Sequence, residues 1–281
     1  MTESRGDEYT KNGYVSYPGL LDAGELKTLL TEISRISDGN TLASHDKTRL
    51  EMEPQQKPEG RLVRRIYEPC SHYAPFRDLS EAPRLLDAVE SFLGPDILFH
   101  YSKINMKPPS IGSVVEWHQD LSYYPLTNSS SLAVLIYLDD ADVENGCLQV
   151  IPGRHNGRLL DHVRDGYFVG KVVEPLDESQ AVPVEGKAGT AIFMHCMTPH
   201  ASVTNQSDRP RRTLILSYRA ADAFPIYSGD VTPELEKATR LVRGKPADSA
   251  RFSFDHFPIP RRKQPVASLY ELQELSRKQT A

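Results

Sequence analysis

Apolar positions in this chain change their period partway along it. Leu26, Leu29, Leu30, Ile33 and Ile36 recur at helical spacing, which places them on one face of a helix turned to a core. Asp22 stands just before them and Glu25 three residues on, the pairing that forms a capping box. A second helix is expected with Ser80 as its cap and Pro83 in its first turn. Leu85, Leu86, Val89, Phe92 and Leu93 form its apolar face, and Gly94 with Pro95 stops it. Between Glu8 and Leu20 the pattern reads as a short strand or turn leading into the first helix.

From Ile97 the texture becomes β-prone. Short runs appear at Ile97–Met106, Val114–Trp117, Leu132–Leu138, Cys147–Ile151, Ala191–His195 and Thr213–Tyr218, separated by turn residues such as Pro108, Asn145, Gly146, Gly153 and Gly189. Many short strands after two helices predict a mainly β fold with helices packed outside, and a double-sheet jelly roll suits the pattern. The stretch Arg154–Glu185 has few strand signals and reads as a candidate lid or substrate loop. Beyond Ala221 a peripheral helix is expected near Pro233–Arg243, then a Pro-rich link and a last helix near Ser268–Lys278. With no internal repeat and no compositional break, residues 1–281 read as one domain, its core about residues 10–220 and its C-terminal helices peripheral.

Charge and cysteine content narrow the classes. The formal net charge is −5 with no long basic run, so the footprint of a nucleic-acid binder is missing. Arg261, Arg262 and Lys263 form one short basic cluster, read as a solvated loop. Cys70, Cys147 and Cys196 are too few and too scattered for a disulfide framework or a paired-cysteine zinc site. The N-terminus has no apolar signal core, the C-terminus no address tag, and no apolar stretch is long enough to span a bilayer. A cytoplasmic protein with no membrane partner is expected; the pattern sets no oligomeric state.

The strongest local signal is Trp117-His118-Gln119-Asp120. In extended backbone, side chains at i and i+2 share a face, so His118 and Asp120 can reach one metal ion while Gln119 points away. A third ligand must come from elsewhere, and His200, after Pro199, supplies it. Two histidines and one carboxylate leave coordination positions open, as iron(II) oxygenases require. A lone His-x-Asp triplet occurs by chance in many sequences. The segment after His200 adds weight: Ser202, Asn205 and Arg211 lie on the same stretch. A guanidinium binds a carboxylate bidentately, so Arg211 with Ser202 suits the distal carboxylate of 2-oxoglutarate.

At this point the sequence resembles the phytanoyl-CoA dioxygenase family of iron(II)- and 2-oxoglutarate-dependent oxygenases. The matching pieces are WHQDLSYYP, ENGCLQVIPGRH and GTAIFMHCMTPHAS followed by Arg211, in family order, spanning roughly residues 10–220. The resemblance implies a double-stranded β-helix (jelly roll, cupin-like) with flanking helices. It also implies His118, Asp120 and His200 as ligands of iron(II), with 2-oxoglutarate and dioxygen as co-substrates. Arg211 would bind the distal carboxylate with Ser202 assisting. A basic residue on an upstream strand is implied as well, matched by Arg65 in LVRRIYEP or alternatively Arg64, and Lys103 is a further co-substrate contact by position. The implied reaction is hydroxylation of an unactivated C–H bond of a small organic or natural-product substrate, releasing succinate and CO2. Family halogenases lack the metal carboxylate, so Asp120 disfavours halogenation.

Other residues carry plainer readings. His195 competes with His200 as third ligand but is read as a strand histidine satisfied by a neighbour. His155 is read as shaping the mouth of the site, and His45, His72, His100, His162 and His256 as surface or structural. Trp117, Tyr123 and Tyr124 suit either a substrate pocket or the core. Gln119 suits either substrate contact or solvent, and Cys196 a small buried apolar position. Two rival functions remain open: a mononuclear zinc hydrolase using the same three ligands, which has no use for an arginine clamp, and a catalytically inactive jelly-roll binding protein.

Overall fold

Ser4 and Asp22 open helices by the same device. Each side chain accepts the N–H of the third helical residue, and the acid there, Asp7 or Glu25, accepts the cap's own N–H. Two donors that a helix start leaves open are thereby satisfied. The helix at Asp22 is the expected one, α2 (Ala23–Ser37), burying Leu29, Ile33 and Ile36. The helix at Ser4, α1 (Arg5–Asn12), occupies ground where strand or turn was expected; it buries a single side chain, Tyr9, and so leaves no periodic stripe to read. Gly13, at φ 79°, ends it, and β1 (Tyr14–Tyr17) follows. The computed structural model describes residues 4–111, 113–226, 236–259, 261 and 269–278.

The next elements are β2 (Leu50–Met52), β3 (Val63–Tyr67), α3 (Pro69–His72), α4 (Ala74–Ser80) and α5 (Pro83–Leu93). Ser80 does not cap α5, contrary to expectation. It is the last residue of α4, its hydroxyl donates to the Arg77 carbonyl, and Ala82 takes the cap position. Pro83 makes that possible, because its missing N–H is one fewer donor to satisfy.

The β-prone runs became β4 (Ile97–Lys107), β5 (Val115–His118), β6 (Ser131–Tyr137) and β7 (Leu148–Val150), followed by β8 (Val163–Arg164), β9 (Tyr167–Phe168) and β10 (Val182–Val184). Then come β11 (Ala191–His195), β12 (His200–Ser202) and β13 (Arg211–Ala220). The stretch 154–185 is mostly irregular, with the β8–β9 hairpin inside it and β10 near its end. The segment expected as a helix near Pro233–Arg243 instead holds a strand, β14 (Arg240–Arg243), paired with the start of β4; residues 233–235 lie outside the described residues. The last helix is α6 (Leu269–Lys278), with Ser268 outside the described residues, as are Arg262 and Lys263 of the basic cluster.

The strands build an eight-stranded sheet in the order β1-β11-β6-β13-β4-β3-β2, with β14 also on β4, and a four-stranded sheet in the order β10-β7-β12-β5. Alternation along β6 shows how they stack. Leu132, Val134 and Ile136 join the cluster formed with the helices, whereas Ala133, Leu135 and Tyr137 pack with Leu148, Val150 and Val184 of the smaller sheet. Both faces of β6 are buried, which is why it reads as a continuous apolar run rather than an alternating one. Two sheets face each other around a shared interior, with helices covering the outer face of the larger one. This is the double-stranded β-helix. All three cysteines are buried and unbridged, and no helix among the described residues is long and apolar enough to cross a membrane.

Candidate active site

β5 and β12 are neighbours in the smaller sheet, and their register pairs His118 directly with His200. The two rings lie 4.0 Å apart at their centroids. Gln119 is extended (φ −117°, ψ 131°), after which the chain turns through Asp120–Ser122. Alternation therefore returns the Asp120 side chain to the face of His118. Its Oδ1 lies 3.7 Å from Nε2 of His118 and 3.9 Å from Nε2 of His200.

Both imidazoles are held in the same way. Nδ1 of His118 donates to the Glu116 carbonyl at 2.8 Å, and Nδ1 of His200 to the Thr198 carbonyl at 3.0 Å. A carbonyl can only accept, so Nδ1 carries the proton and Nε2 presents its lone pair. Burial pushes His118 well below the usual imidazole range, with neighbouring His200 adding to the effect. Burial lowers His200 too, opposed by Asp120. Two lone pairs and a carboxylate thus converge with no proton between them, a repulsive arrangement that a cation relieves. All three ligand atoms lie within 4.8 Å of one another. The set fits a divalent ion taking two nitrogens and one oxygen, with further positions open.

A cavity beside this group is lined by the apolar residues Val115, Leu135, Leu148, Met194 and Ile215 and by the polar residues Lys103, Asn105, Ser202, Arg211 and Thr213. Arg211 is 5% exposed. It donates to Thr213 Oγ1 at 2.9 Å and to the Gly146 carbonyl at 2.6 Å, and its Nε has no partner among the described residues. No carboxylate among the described residues forms an ion pair with it. A buried guanidinium left without an anion is costly. Gly146 belongs to the turn in ENGCLQV. At φ +76°, with a Cβ there falling 2.5 Å from the Val203 carbonyl oxygen, only glycine fits, and its carbonyl orients Arg211.

Lys103 lines the same cavity, its ammonium 5.4 Å from the centre of the Tyr101 ring. Burial, reinforced by Arg65, lowers its pKa to about 8. Arg65 stands one layer back, where Nε donates to Asn105 Oδ1 at 3.1 Å and Nη2 is buried without a partner. The alternative, Arg64, is committed elsewhere, to Glu51 at 2.6 Å and Glu274 at 2.8 Å. Ser202 is held near Arg211 by Lys107, a buried lysine whose Nζ donates to the Ser113 carbonyl at 2.8 Å and also to the carbonyls of Ser202 and Val203.

Several plainer readings resolve. His195 faces away from the metal group: its Nδ1 accepts the Met197 N–H at 3.1 Å and its ring packs on His155. His155 does not shape the cavity mouth as expected; it bonds the Thr10 carbonyl at 3.1 Å and packs on the N-terminal segment. Gln119 is fully buried, neither solvent-facing nor lining the cavity. Tyr123 sets its ring edge-on to His118 and Phe168. Asn105, Thr213 and the Gly146 carbonyl were not singled out from the sequence. The first two could have been, since they sit two residues from Lys103 and Arg211 on β4 and β13. Tyr270 of α6, which covers Arg65, carried no sequence signal.

Comparison with known proteins gives concordant matches. The family model described as phytanoyl-CoA dioxygenase matches residues 9–213. A probable alpha-ketoglutarate-dependent hypophosphite dioxygenase of Stutzerimonas stutzeri is 34% identical over 226 residues, covering 78% of this chain and 79% of the relative. A methylphosphonate hydroxylase of Gimesia maris is 30% identical over 220 residues, covering 78% and 81%. Among solved structures, EctD from S. alaskensis with 2-oxoglutarate and 5-hydroxyectoine superimposes with a TM-score of 0.64 at 25% identity, covering 77% of this chain and 75% of that one.

Proposed function

Because the chain belongs to the phytanoyl-CoA dioxygenase family of non-haem iron, 2-oxoglutarate-dependent oxygenases, we propose that it hydroxylates an unactivated C–H bond of a small substrate, with release of succinate and CO2. His118, Asp120 and His200 hold iron(II), and Arg211 with Ser202 binds the distal carboxylate of 2-oxoglutarate. The carrying observation is the pairing of two features in one cavity: a converging His-Asp-His set and a buried arginine whose Nε is unpaired among the described residues. When bound, iron(II) activates dioxygen in a reaction coupled to oxidative decarboxylation of 2-oxoglutarate.

The residues of the chain supply position and environment. The fixed Nδ1–H tautomers of His118 and His200 keep both Nε2 atoms on the metal side without rearrangement. Lys103 adds positive charge on the side of the cavity that takes the dicarboxylate, and Arg65 holds Asn105 in the same wall. Val115, Leu148, Met194 and Ile215 give an apolar lining that excludes water. A small substrate agrees with the names of the relatives, which specify hypophosphite, methylphosphonate and ectoine. The zinc-hydrolase alternative has less support: among the described residues lining the cavity Asp120 is the one carboxylate, which leaves a metal-bound water without a carboxylate base.

The test is an anaerobic titration of the metal-free protein with iron(II) and 2-oxoglutarate, followed by succinate release in air with a panel of small substrates. A visible charge-transfer band that weakens in Asp120→Ala and Arg211→Ala supports the reading. Tight zinc binding with no band would overturn it.

A further inference from the structure

The two sheets leave a flank open. β5 ends the smaller sheet, β3 and β2 end the larger one, and α6 spans the gap between them. On one side the Tyr270 ring lies 4.8 Å from the guanidinium carbon of Arg64 and 4.7 Å from that of Arg65, both on β3, and Glu274 pairs with Arg64. On the other, Gln273 accepts the Glu116 N–H of β5 at 3.0 Å and Arg277 donates to the Glu116 carboxylate at 2.6 Å. A single helix therefore clasps both sheet edges beside the cavity.

Tyr270 is 1% exposed, yet its hydroxyl has no hydrogen-bond partner among the described residues. Arg65 Nη2 and Arg211 Nε are unpaired in the same way. These three buried polar atoms come from α6, β3 and β13. Strand register brings them together: Arg65, on which the Tyr270 ring lies, pairs with Asn105, Asn105 pairs with Thr213 on the next strand, and Thr213 Oγ1 accepts from Arg211. Buried polar groups in native proteins are almost always paired. A hydroxyl flanked by guanidinium donors has nothing to donate to until an acceptor arrives.

We propose that α6 completes the co-substrate site, with the Tyr270 hydroxyl donating to the distal carboxylate of 2-oxoglutarate beside Arg211. This rests on the reading of Arg211 as the carboxylate-binding residue. It makes the C-terminal helix part of the dicarboxylate pocket, and the ring of Tyr270 a cover that keeps water from Arg65 on the flank the strands do not close.

The test uses the full-length protein loaded with manganese(II), which needs no turnover, and measures binding by calorimetry. The probes are 2-oxoglutarate and 2-oxobutyrate, which shares the keto-acid head but lacks the distal carboxylate. Tyr270→Phe keeps the ring over both guanidinium groups and removes only the hydroxyl. It should weaken 2-oxoglutarate about tenfold, as loss of one hydrogen bond to a charged group does, and leave 2-oxobutyrate, manganese(II) and the melting temperature unchanged. Equal weakening of both keto acids, or no weakening of either, overturns the proposal. Arg211→Lys separates the two levels. If it selectively weakens 2-oxoglutarate while Tyr270→Phe does not, the proposal for Tyr270 falls and the pocket assignment stands. If Arg211→Lys has no selective effect, the pocket assignment itself is wrong.

Discussion

The backbone N–H of Gln119 donates to Nε2 of His162 at 3.1 Å, so the residue between His118 and Asp120 is braced by an imidazole from the 154–185 loop. Nδ1 of His162 donates to the Leu160 carbonyl at 2.7 Å, which sets the tautomer that leaves Nε2 free to accept. The Gln119 side chain completes the brace, accepting the Leu160 N–H at 2.7 Å and donating to the Met197 carbonyl at 2.6 Å. One residue thus ties the His118–Asp120 segment to the irregular loop and to the turn that delivers His200.

Replacing that side chain should loosen the whole group. Gln119→Leu conserves bulk but strands the Leu160 N–H and the Met197 carbonyl in a buried place. A loss of about 2 kcal/mol in urea unfolding is expected, with divalent-metal affinity down about tenfold because the ligands are less well held. Unchanged metal affinity alongside lost stability would confine the brace to folding.

Arg211 and Arg212 are adjacent and face opposite ways. Arg211 points into the cavity, while Arg212 donates through Nε and Nη2 to Asp139 at 2.8 and 2.5 Å, partly exposed. Arg211→Ala should raise the KM for 2-oxoglutarate about 100-fold, the equivalent of losing two charge-assisted hydrogen bonds. Arg212→Ala should leave that KM alone and cost about 1 kcal/mol or less, as a solvent-screened pair does. Steady-state kinetics with both variants reads the contrast directly.

Asp120→Ala separates binding from folding. Removing the carboxylate should weaken iron(II) or manganese(II) at least about 100-fold by calorimetry, more than loss of a supporting contact would. The metal-free variant should melt no lower than the metal-free parent, because the lone pairs of His118 and His200 no longer face a buried anion. A large drop in melting temperature would mean that Asp120 supports the fold in its own right.

Acid should destabilise the protein through His195 once the pH falls below about 6.5. Burial, reinforced by His155, pushes His195 down to about 3, whereas an unfolded histidine titrates near 6.5. Above about pH 6.5 both states are neutral at His195 and it adds no pH dependence. Below that, the unfolded chain binds a proton that the native state refuses, so stability falls as pH drops and levels off near 3. The slope from this one residue is about 1.4 kcal/mol per pH unit. Urea midpoints measured between pH 7 and pH 5 should fall for the parent and fall less steeply for His195→Gln.

How much could be read in advance varied with how local each signal was. α2 was legible because its cap, capping box and apolar stripe lie within one stretch of chain. β11 was legible to the residue, since both its faces are buried and its whole run is apolar or nearly so. β3 was not legible from its own pattern and entered only through the family resemblance: it carries Arg64 and Arg65 inside a strand, and two adjacent cations look like surface until Glu51, Glu274 and Tyr270 are seen around them. β12 escaped because three residues, His200–Ser202, are too short to show a period. Ser80 misled because a serine before a proline resembles a cap, and only the close of α4 shows which helix it belongs to.

By itself the sequence determined the chemistry carried along single strands. His118 and Asp120 share a face because the backbone between them is extended, and Lys103 with Asn105, or Arg211 with Thr213, share one for the same reason. Which strands face each other is not a local property. It depends on burying both sides of the larger sheet at once, against helices outside and the smaller sheet within. Only the tertiary structure set His200 opposite His118, turned Arg65 behind Asn105 and laid Tyr270 across the open flank. Each of those contacts joins segments far apart in the chain, and only the packing of two sheets and a late helix brings them together.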